Sequence, residues 1–295
     1  MIAEISALVE RFAIRFERDA LKLRRANKIK TIYSSLAIEG NTLSETQVGD
    51  ILNGKNVVAP IRELQEVKNA IAVYDNFASF NPFSLEDLLR AHAQMMSALV
   101  ETAGQFRRSG VGVFDGDCAV HIAPPFERVP ELMANLFDWL KNADDHLLIR
   151  SCVFHYEFEF IHPFADGNGR MGRLWQSLIL SKLNSVFQYL PVETLVHDNQ
   201  LKYYEAINAS TANNDSGAFI DFMLGELLNA LKIHQGEPIG RVNGGVSGRV
   251  NEVFGYIKAH EGCNASELSA ALSIPKRTLA RDLKKLADQV EFRGA

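Results

Sequence analysis

The chain has 295 residues, of which 47% are hydrophobic and 23% charged, and its net charge is −5. This is ordinary globular composition, and the length suits about two domains. The negative charge argues against a nucleic-acid coat protein. No stretch approaches the ~18 uninterrupted apolar residues of a membrane span, so we expect no membrane partner.

The N-terminal segment carries charges where a secretory signal peptide needs an apolar run, at Glu4, Glu10 and Arg11. We therefore expect a cytoplasmic protein. The three cysteines lie far apart without a Cys-x-x-Cys pair. This spacing indicates neither a zinc site nor a disulfide framework.

Helical patterns dominate the chain. Residues 3–29 are rich in helix formers and lack Gly and Pro. Ser44 with Gln47 predicts a capping box at the start of a helix. Periodicity and capping residues predict further helices that begin near Arg62, Ser84, Pro130, residue 145 and Arg170.

Two other segments differ in pattern. Val and Gly alternate around Asp115-Gly116, which predicts a β-hairpin over residues 110–122. Residues 236–248 contain five Gly and no apolar periodicity, which predicts a linker. We divide the chain into an N-terminal helical region (1–80), a core (81–235), the linker (236–248) and a C-terminal domain (249–295).

The C-terminal domain is predicted to contain three short helices. They cover residues 249–260, a segment that Asn264 and Glu267 can cap, and residues 276–288. The arrangement resembles a winged helix-turn-helix. Residues 276–285 carry a charge of +4, which suits DNA, whereas docking of a protein partner or a purely structural role is the alternative.

The segment HPFADGNGRMGR, residues 162–173, concentrates chemically useful residues. A Gly-rich loop that leads into a helix presents backbone amides and a positive dipole end, which suits phosphate. Arg170 and Arg173 near a helix N-terminus oppose the dipole, so they indicate an anionic ligand. Asp166 beside phosphate groups suits Mg²⁺, and His162 suits a general base.

Each residue of this segment also has an ordinary explanation. A histidine before proline usually ends a helix, Asp-Gly is usually a turn, and two arginines one turn apart usually form a solvated face. The combination is different. Eight specified positions, each with a chance of roughly one in twenty, match at random with a probability on the order of 10⁻¹⁰ per start position.

The segment resembles the signature of the Fic family, His-x-Phe-x-Asp/Glu-Gly-Asn-Gly-Arg-x-x-Arg, at all eight specified positions. The flanking YEFEFIHPF, the upstream GQFRR (104–108) and HIAPPFERVPELMANL (121–136) are also similar to the family. The resemblance covers roughly residues 30–235. It implies a mainly α protein, with an all-helical Fic core, a small β-hairpin flap and, beyond it, the winged-helix domain.

The resemblance also implies a reaction, the transfer of AMP from ATP to a hydroxyl of a target protein. His162 would deprotonate that hydroxyl, and Asp166 would hold Mg²⁺. Arg170 would stabilise the leaving phosphates, and Arg173 would contact the γ-phosphate. The anion hole would consist of Gly167, Asn168 and Gly169.

Further residues receive expected roles from the same resemblance. The hairpin at 110–122 would dock the target protein by β-augmentation, with an ordinary connecting hairpin as the alternative. Tyr203 and Tyr204 would border the adenine, and a place in the core is the alternative. We expect Phe164 to anchor the loop by packing, and His155 to be structural.

A second motif, SLAIEG, resembles the inhibitory motif of the family through Ser35, Glu39 and Gly40. On its own the motif would indicate only the end of a short surface helix. In the family, the glutamate pairs with the last arginine of the signature, which is Arg173 here. This pairing would exclude the γ-phosphate, so we expect low basal activity.

Two classes of function follow. The first is an autoinhibited, Mg²⁺-dependent protein adenylyltransferase that modifies a target protein or itself; removal of AMP at the same site is a variant of it. The second is a DNA-binding regulator that uses the Fic core as a nucleotide sensor. His162 and Asp166 favour the enzyme, because a sensor needs no base. Self-association of the chain is also open.

Overall fold

The computed structural model describes residues 1–16, 20–115, 118–188, 190, 192–236, 253, 256–257, 264–272, 279 and 283. The chain divides into two units, Met1–Ile239 and Gly240–Ala295. Among the helices of the described residues, none has the length and apolar character that crossing a bilayer requires.

The first unit is built almost entirely of helices. Between its helices lie two short strands, β1 (Gly112–Asp115) and β2 (Cys118–Ile122). Its helices are α1 (Ile2–Phe16), α2 (Ala20–Ile38), α3 (Glu45–Leu52), α4 (Ile61–Asp75), α5 (Leu85–Met95), α6 (Val129–Asn142), α7 (Leu147–Ile161), α8 (Asn168–Leu183), α9 (Val192–Asp198), α10 (Gln200–Asn213) and α11 (Gly217–Gly236).

Local capping residues fix several helix starts. Ser44 and Gln47 form the predicted capping box at α3, since each side chain bonds the backbone amide of the other residue. The Ser84 side chain accepts a hydrogen bond from the Asp87 amide at the start of α5. Such bonds satisfy amides that have no partner inside the helix. The positions predicted for α3 and α5 are therefore confirmed.

The helix that leads to Glu39 is longer than the sequence suggested. We expected Glu39 on a short helix, but the structure places it directly after the 19-residue helix α2. Helix α2 contacts α9 through Ser34 and Thr194, whose buried hydroxyl oxygens lie 3.1 Å apart. Helix α2 therefore continues beyond residue 29, where the helix-forming composition noted in the sequence ends, and its second half contacts α9.

The core of the first unit surrounds α8. Its buried stripe matches the arc predicted from the helical periodicity, and each side chain in it is at most 1% exposed. These residues join α2, α4, α5, α6 and α7 in one apolar cluster, while Leu180 belongs to a second cluster with α1, α10 and α11. The stripe consists of Met171, Leu174, Trp175, Leu178 and Ile179.

The two strands pair antiparallel, with Gly112 opposite Ile122 and an irregularity in register between Val113 and Phe114. At the root of the strand pair, the Ala123 amide donates to the Val111 carbonyl at 3.3 Å. The strand pair lies between α5 and α6 in the chain.

The second unit is described at only a few positions. Its helix α12 (Ala265–Ala271) begins as predicted, because Asn264 Oδ1 accepts from the Glu267 amide at 3.0 Å. The described apolar residues around it include Val253, Leu268 and Leu279. Most of the linker and of the predicted helices 249–260 and 276–288 lies outside the described residues.

Candidate active site

The turn at His162 ends α7 in an uncommon backbone conformation. His162 has φ 50° and ψ 60°, in the left-handed region. A non-glycine residue there is strained by about 1–3 kcal/mol, and such strain concentrates at functional sites. Its ring Nδ1 donates to the Glu159 carbonyl at 3.3 Å. In the neutral ring, the lone pair is therefore on Nε2.

The loop after His162 is closed by Asn168. Its Oδ1 accepts from the Phe164 amide and its Nδ2 donates to the Phe164 carbonyl, both at 2.9 Å. Asn168 is only 2% exposed. The side chain therefore shapes the loop, which leaves its backbone amide for the anion hole predicted from the sequence.

His92 supports the loop from α5. Its ring stacks on Phe164 with 3.6 Å between centroids, and Phe164 is fully buried, as expected. His92 Nδ1 accepts from the Gly104 amide at 2.8 Å, so Nε2 donates to the Asp166 carbonyl at 3.0 Å. Burial lowers the pKa of His92 to about 4. The His92 ring is thus neutral and supports the loop structurally.

Gly167 is the N-cap of α8 and occupies a position that only glycine suits. Its φ is +85°, and a Cβ there would lie 2.7 Å from Met96 Sδ. Its amide donates to Asp166 Oδ1 at 2.6 Å, and Arg170 Nη2 lies 3.2 Å from the same oxygen. The donors at the start of α8 therefore already hold an anionic group, the carboxylate of Asp166.

Asp166 also belongs to a ring of four charges. Arg62 Nη2 on α4 lies 3.2 Å from Asp166 Oδ2. Glu66 Oε1 lies 3.5 Å from Arg62 Nε and 3.9 Å from Arg170 Nη1, which closes the ring. Arg170 is 3% exposed, whereas the Arg62 side chain is 59% exposed. We call these four residues the charge ring.

Arg173, one turn beyond Arg170, is paired with Glu39. Its Nη2 lies 2.7 Å from Glu39 Oε1 and 3.0 Å from the Ser35 carbonyl. Burial acts to lower the pKa of Arg173, but Glu39 and the other acidic groups nearby more than offset this, so the pKa is raised. The guanidinium is a permanent cation that is only 1% exposed.

Gly169 gives room to this pair, and Gly40 shapes the backbone directly after Glu39. A Cβ at Gly169 would lie 2.6 Å from Glu39 Oε1 and 2.9 Å from Arg173 Nη1. Gly40 follows Glu39 with φ +89°, a left-handed conformation at the end of the turn. The structure thus brings Ser35, Glu39 and Gly40 to the same end of α8 as the HPFADGNGRMGR segment.

A cavity of about 210 Å³ opens beside Arg173. Tyr203 is 3% exposed, and its hydroxyl donates to His155 Nε2 at 3.1 Å, because His155 Nδ1 donates to Gln176 Oε1. Tyr204 is 45% exposed. The lining residues include Glu39, Glu159, His162, Arg173, Tyr203 and Tyr204.

Glu159 brings a buried carboxyl group into this cavity. Its Oε1 has no hydrogen-bond partner among the residues that the structure describes. Its Oε2 lies 4.0 Å from His162 Nδ1, and its Oε1 lies 3.8 Å from His155 Nε2. Burial raises the pKa of Glu159 to about 7. The group therefore titrates near neutral pH at the wall of the site.

The profile of the Fic/DOC family matches residues 82–180. The crystal structure of a Fic family protein from Desulfovibrio desulfuricans G20 is similar along nearly the whole chain, with a TM-score of 0.77 and 42% sequence identity. The similarity covers 97% of this chain and 87% of that one. The chain belongs to the Fic/DOC family.

Several curated relatives carry the name protein adenylyltransferase Fic. The protein from Culex quinquefasciatus is 33% identical over 231 residues, and the protein from Aedes aegypti is 31% identical over 230. Each alignment covers 70% of this chain and 44% of the relative. The chain thus spans less than half the length of these relatives.

Several residues of this Fic site were not found from the sequence. Arg62 and Glu66 lie on α4, about a hundred residues before the loop they contact, and their positions carry no pattern that indicates a site. Glu159 had a usable signal, because it lies three residues before His162 on one helix face. Arg107 lies within the family-like GQFRR segment, where no role was assigned to it.

Proposed function

We propose that this Fic protein transfers AMP from ATP to a hydroxyl side chain, either of a target protein or of its own chain. The observation that carries the proposal is the carboxylate held at the start of α8. Gly167 N–H and Arg170 donate hydrogen bonds to Asp166 Oδ1, as they would to a phosphate oxygen. His162 lies on the same loop, so a base stands beside an anion site.

The reaction assigns one step to His162. The target oxygen attacks the α-phosphorus of ATP, its proton moves to His162 Nε2, and the bond to the β-phosphate oxygen breaks to release pyrophosphate. Donation from Nδ1 to the Glu159 carbonyl sets the tautomer that this role needs. The backbone amides of residues 167–169 and Arg170 would stabilise the charge on the phosphates.

Asp166 fits a magnesium ion. Its carboxylate is 37% exposed and stands where phosphate oxygens would arrive. One or two carboxylates and substrate phosphate oxygens are the usual ligands of Mg²⁺ beside a nucleotide. When bound, the ion supplies neutralisation of phosphate charge. Asp166 is the residue that would hold it, in place of its present contacts with Arg62 and Arg170.

The cavity beside Arg173 suits the nucleoside end of ATP. Tyr203 presents a ring whose hydroxyl is engaged by His155, so its contribution is a rigid apolar face. Tyr204 packs edge-on against Tyr203, with ring centroids 5.3 Å apart, and its partial exposure allows a base to stack on it. Both roles expected from the sequence, bordering adenine and packing in the core, are compatible with these positions.

Glu39 would act as an intramolecular brake. Its carboxylate forms an ion pair with the Arg173 guanidinium, which the γ-phosphate would need as its own partner. ATP therefore cannot bind productively while this pair persists. The hairpin at 110–122 would present the target hydroxyl to His162 by pairing with an extended segment. DNA binding by the C-terminal unit stays a prediction, tested by gel shifts at two salt concentrations.

The proposal is tested with Glu39→Gly incubated with α-labelled ATP, Mg²⁺ and cell lysate. We expect protein-bound label to rise about tenfold or more over wild type, and mass spectrometry to find an AMP adduct on Tyr, Thr or Ser. Glu101→Gly, an exposed glutamate in a turn, is the matched control and should behave as wild type.

Combining Glu39→Gly with His162→Ala should abolish the label. Label that persists without His162 would show that the assigned chemistry is wrong. An unchanged label in Glu39→Gly would contradict the brake, and a different adduct mass would point to another nucleotide.

A further inference from the structure

Arg107 is a buried cation that takes no part in the charge ring or in the Glu39–Arg173 pair. It lies in the segment between α5 and β1 and is 2% exposed. Its guanidinium donates to four acceptors, and all four are backbone carbonyl oxygens. Nε lies 2.8 Å from the His162 oxygen, Nη1 lies 2.9 Å from the Ser109 oxygen, and Nη2 contacts the oxygens of Pro124 and Ile161.

The four acceptors come from two places in the fold. Ile161 and His162 are at the C-terminal end of α7, where carbonyls have no partner within the helix. Ser109 and Pro124 lie just outside the two strands, one on each side of the hairpin. In addition, the Arg107 amide donates to the Pro163 carbonyl at 2.9 Å. One residue therefore ties both roots of the hairpin to the turn that carries His162.

The chemistry of the guanidinium explains why arginine stands here. Its five N–H groups form a flat, rigid fork, so one side chain can hold several acceptors in fixed directions. A lysine keeps the charge but presents a single ammonium on a flexible stem. It cannot reach four carbonyls spread over two segments. The neighbouring Arg108, by contrast, is exposed and contacts Gln105 Oε1 at 3.1 Å.

We propose that Arg107 is a positioning residue that fixes the root of the hairpin relative to His162. The consequence for catalysis rests on the proposed function. If a target segment pairs with the hairpin, Arg107 sets the distance between its hydroxyl and His162 Nε2. Misplacement by about 1 Å can lower a transfer rate by about a hundredfold, so this linkage matters to the protein acceptor more than to nucleotide binding.

The first test measures the linkage itself and needs no transfer activity. Amide hydrogen exchange is followed at Arg107, His162 and Ala123 in full-length Arg107→Lys and Arg107→Gln, with Arg108→Lys as the matched control. We expect protection to fall together at the hairpin root and at the His162 turn, and to stay unchanged in the control. Loss of protection at one segment alone, or at neither, would overturn the proposal.

The second test separates positioning from general destabilisation. In the Glu39→Gly background, protein-bound AMP and free AMP from hydrolysis of ATP are measured in one purified sample, with the protein as its own acceptor. Both products require the folded enzyme, so a loss of folded molecules lowers both of them. We expect Arg107→Lys to lower the ratio by about tenfold or more, because water needs no docking on the hairpin.

The outcomes of the two tests separate the two proposals. A fall of both products in equal proportion would mean that Arg107 serves only the fold, which would overturn the inference while the proposed function stands. If Glu39→Gly forms protein-bound AMP neither on itself nor on proteins of a cell lysate, the proposed function fails, and the exchange measurement alone decides whether Arg107 links the two segments. If only lysate proteins are modified, they serve as the acceptor in the second test. Arg108→Lys should leave the ratio at its starting value.

Discussion

The Glu39 carboxylate lies 2.7 Å from Arg173 Nη2, although 134 residues separate them in sequence. The two partners are unequal in exposure. The Arg173 side chain is 2% exposed, whereas that of Glu39 is 30% exposed. Arg173 therefore depends on Glu39 for charge compensation, while Glu39 can be hydrated. Removal of one partner should consequently have a different effect from removal of the other.

A double-mutant cycle on this pair should show the asymmetry. Glu39→Gln leaves a buried guanidinium without its carboxylate, so we expect a loss of about 3 kcal/mol in the free energy of unfolding. In Arg173→Met, the exposed carboxylate regains water, which makes the electrostatic part of the loss smaller. The coupling energy, from urea unfolding of the four proteins at neutral pH, should be about 1–3 kcal/mol.

An exposed pair serves as the control for this cycle. Arg128 Nε lies 3.9 Å from Glu131 Oε2 at the start of α6, and the two side chains are 60% and 65% exposed. Its coupling energy should be about 0–1 kcal/mol. Equal coupling energies for the two pairs would contradict the importance of burial at Arg173.

Glycine substitutions test how closely the pair is packed. An alanine Cβ at Gly169 would lie 2.6 Å from Glu39 Oε1, so we expect Gly169→Ala to destabilise the protein by about 1–3 kcal/mol. Gly225 lies within α11 and has no atom within 4 Å of such a Cβ. Gly225→Ala should therefore stabilise the protein by about 0.5–1 kcal/mol. Thermal unfolding measures both, and a stabilised Gly169→Ala would refute the crowding at this site.

The features that the sequence predicted well are local ones. The Ser44–Gln47 box lies within four residues, and the buried stripe of α8 follows from helical period alone. The HPFADGNGRMGR segment is a single loop and the start of a helix, so its residues lie close together through their spacing in sequence, although His92 and Arg107 also hold the loop. For the same reason, the hydrogen bonds between Asn168 and Phe164 remain within that loop.

The features that the sequence did not reveal depend on distant packing. Arg62 meets Asp166, across 104 residues of sequence, because α4 packs against α2 and α5, which both contact α8. Ser34 of α2 likewise meets Thr194 of α9 across 160 residues of sequence. Glu39 was predicted from the resemblance of SLAIEG to the inhibitory motif of the family, and not from any property of its own position. The acceptors of Arg107 are backbone carbonyl groups, which every residue has, so the sequence does not indicate these contacts.

Glu159 should make stability depend on pH in a known direction. Its folded pKa of about 7 is above the usual value of 4.5, so between these two pH values the native state binds more protons than the unfolded state. Stability from this group therefore falls as the pH rises through that window. Glu159→Gln removes the effect. As the pH rises from 4.5 to 8, the free energy of unfolding of the variant should increase by about 3 kcal/mol relative to that of wild type.

The charges that face Glu159 belong to several elements, namely His155 and His162 on and after α7, Arg173 on α8, and Glu39 after α2. Urea unfolding of wild type and variant across this pH range measures the difference, in which contributions common to both proteins cancel. Glu101→Gln, at an exposed glutamate, should show a constant difference. A constant difference for Glu159→Gln as well would show that this carboxyl is not protonated in the native state at pH 6.

Arg62 should compete with magnesium for Asp166. Its guanidinium contacts Asp166 Oδ2, and because it is exposed, the pair is worth at most about 1 kcal/mol. Arg62→Gln should therefore lower the Mg²⁺ concentration at the midpoint of thermal stabilisation, at fixed ATP, by about two- to fivefold. Arg90→Gln, which removes an exposed arginine on α5, should leave the midpoint unchanged.

If Arg62 instead contacts the nucleotide, ATP without Mg²⁺ will stabilise Arg62→Gln less than wild type. A midpoint that rises together with that loss would assign Arg62 to the phosphates, whereas a lower midpoint assigns it to the carboxylate that would hold the metal.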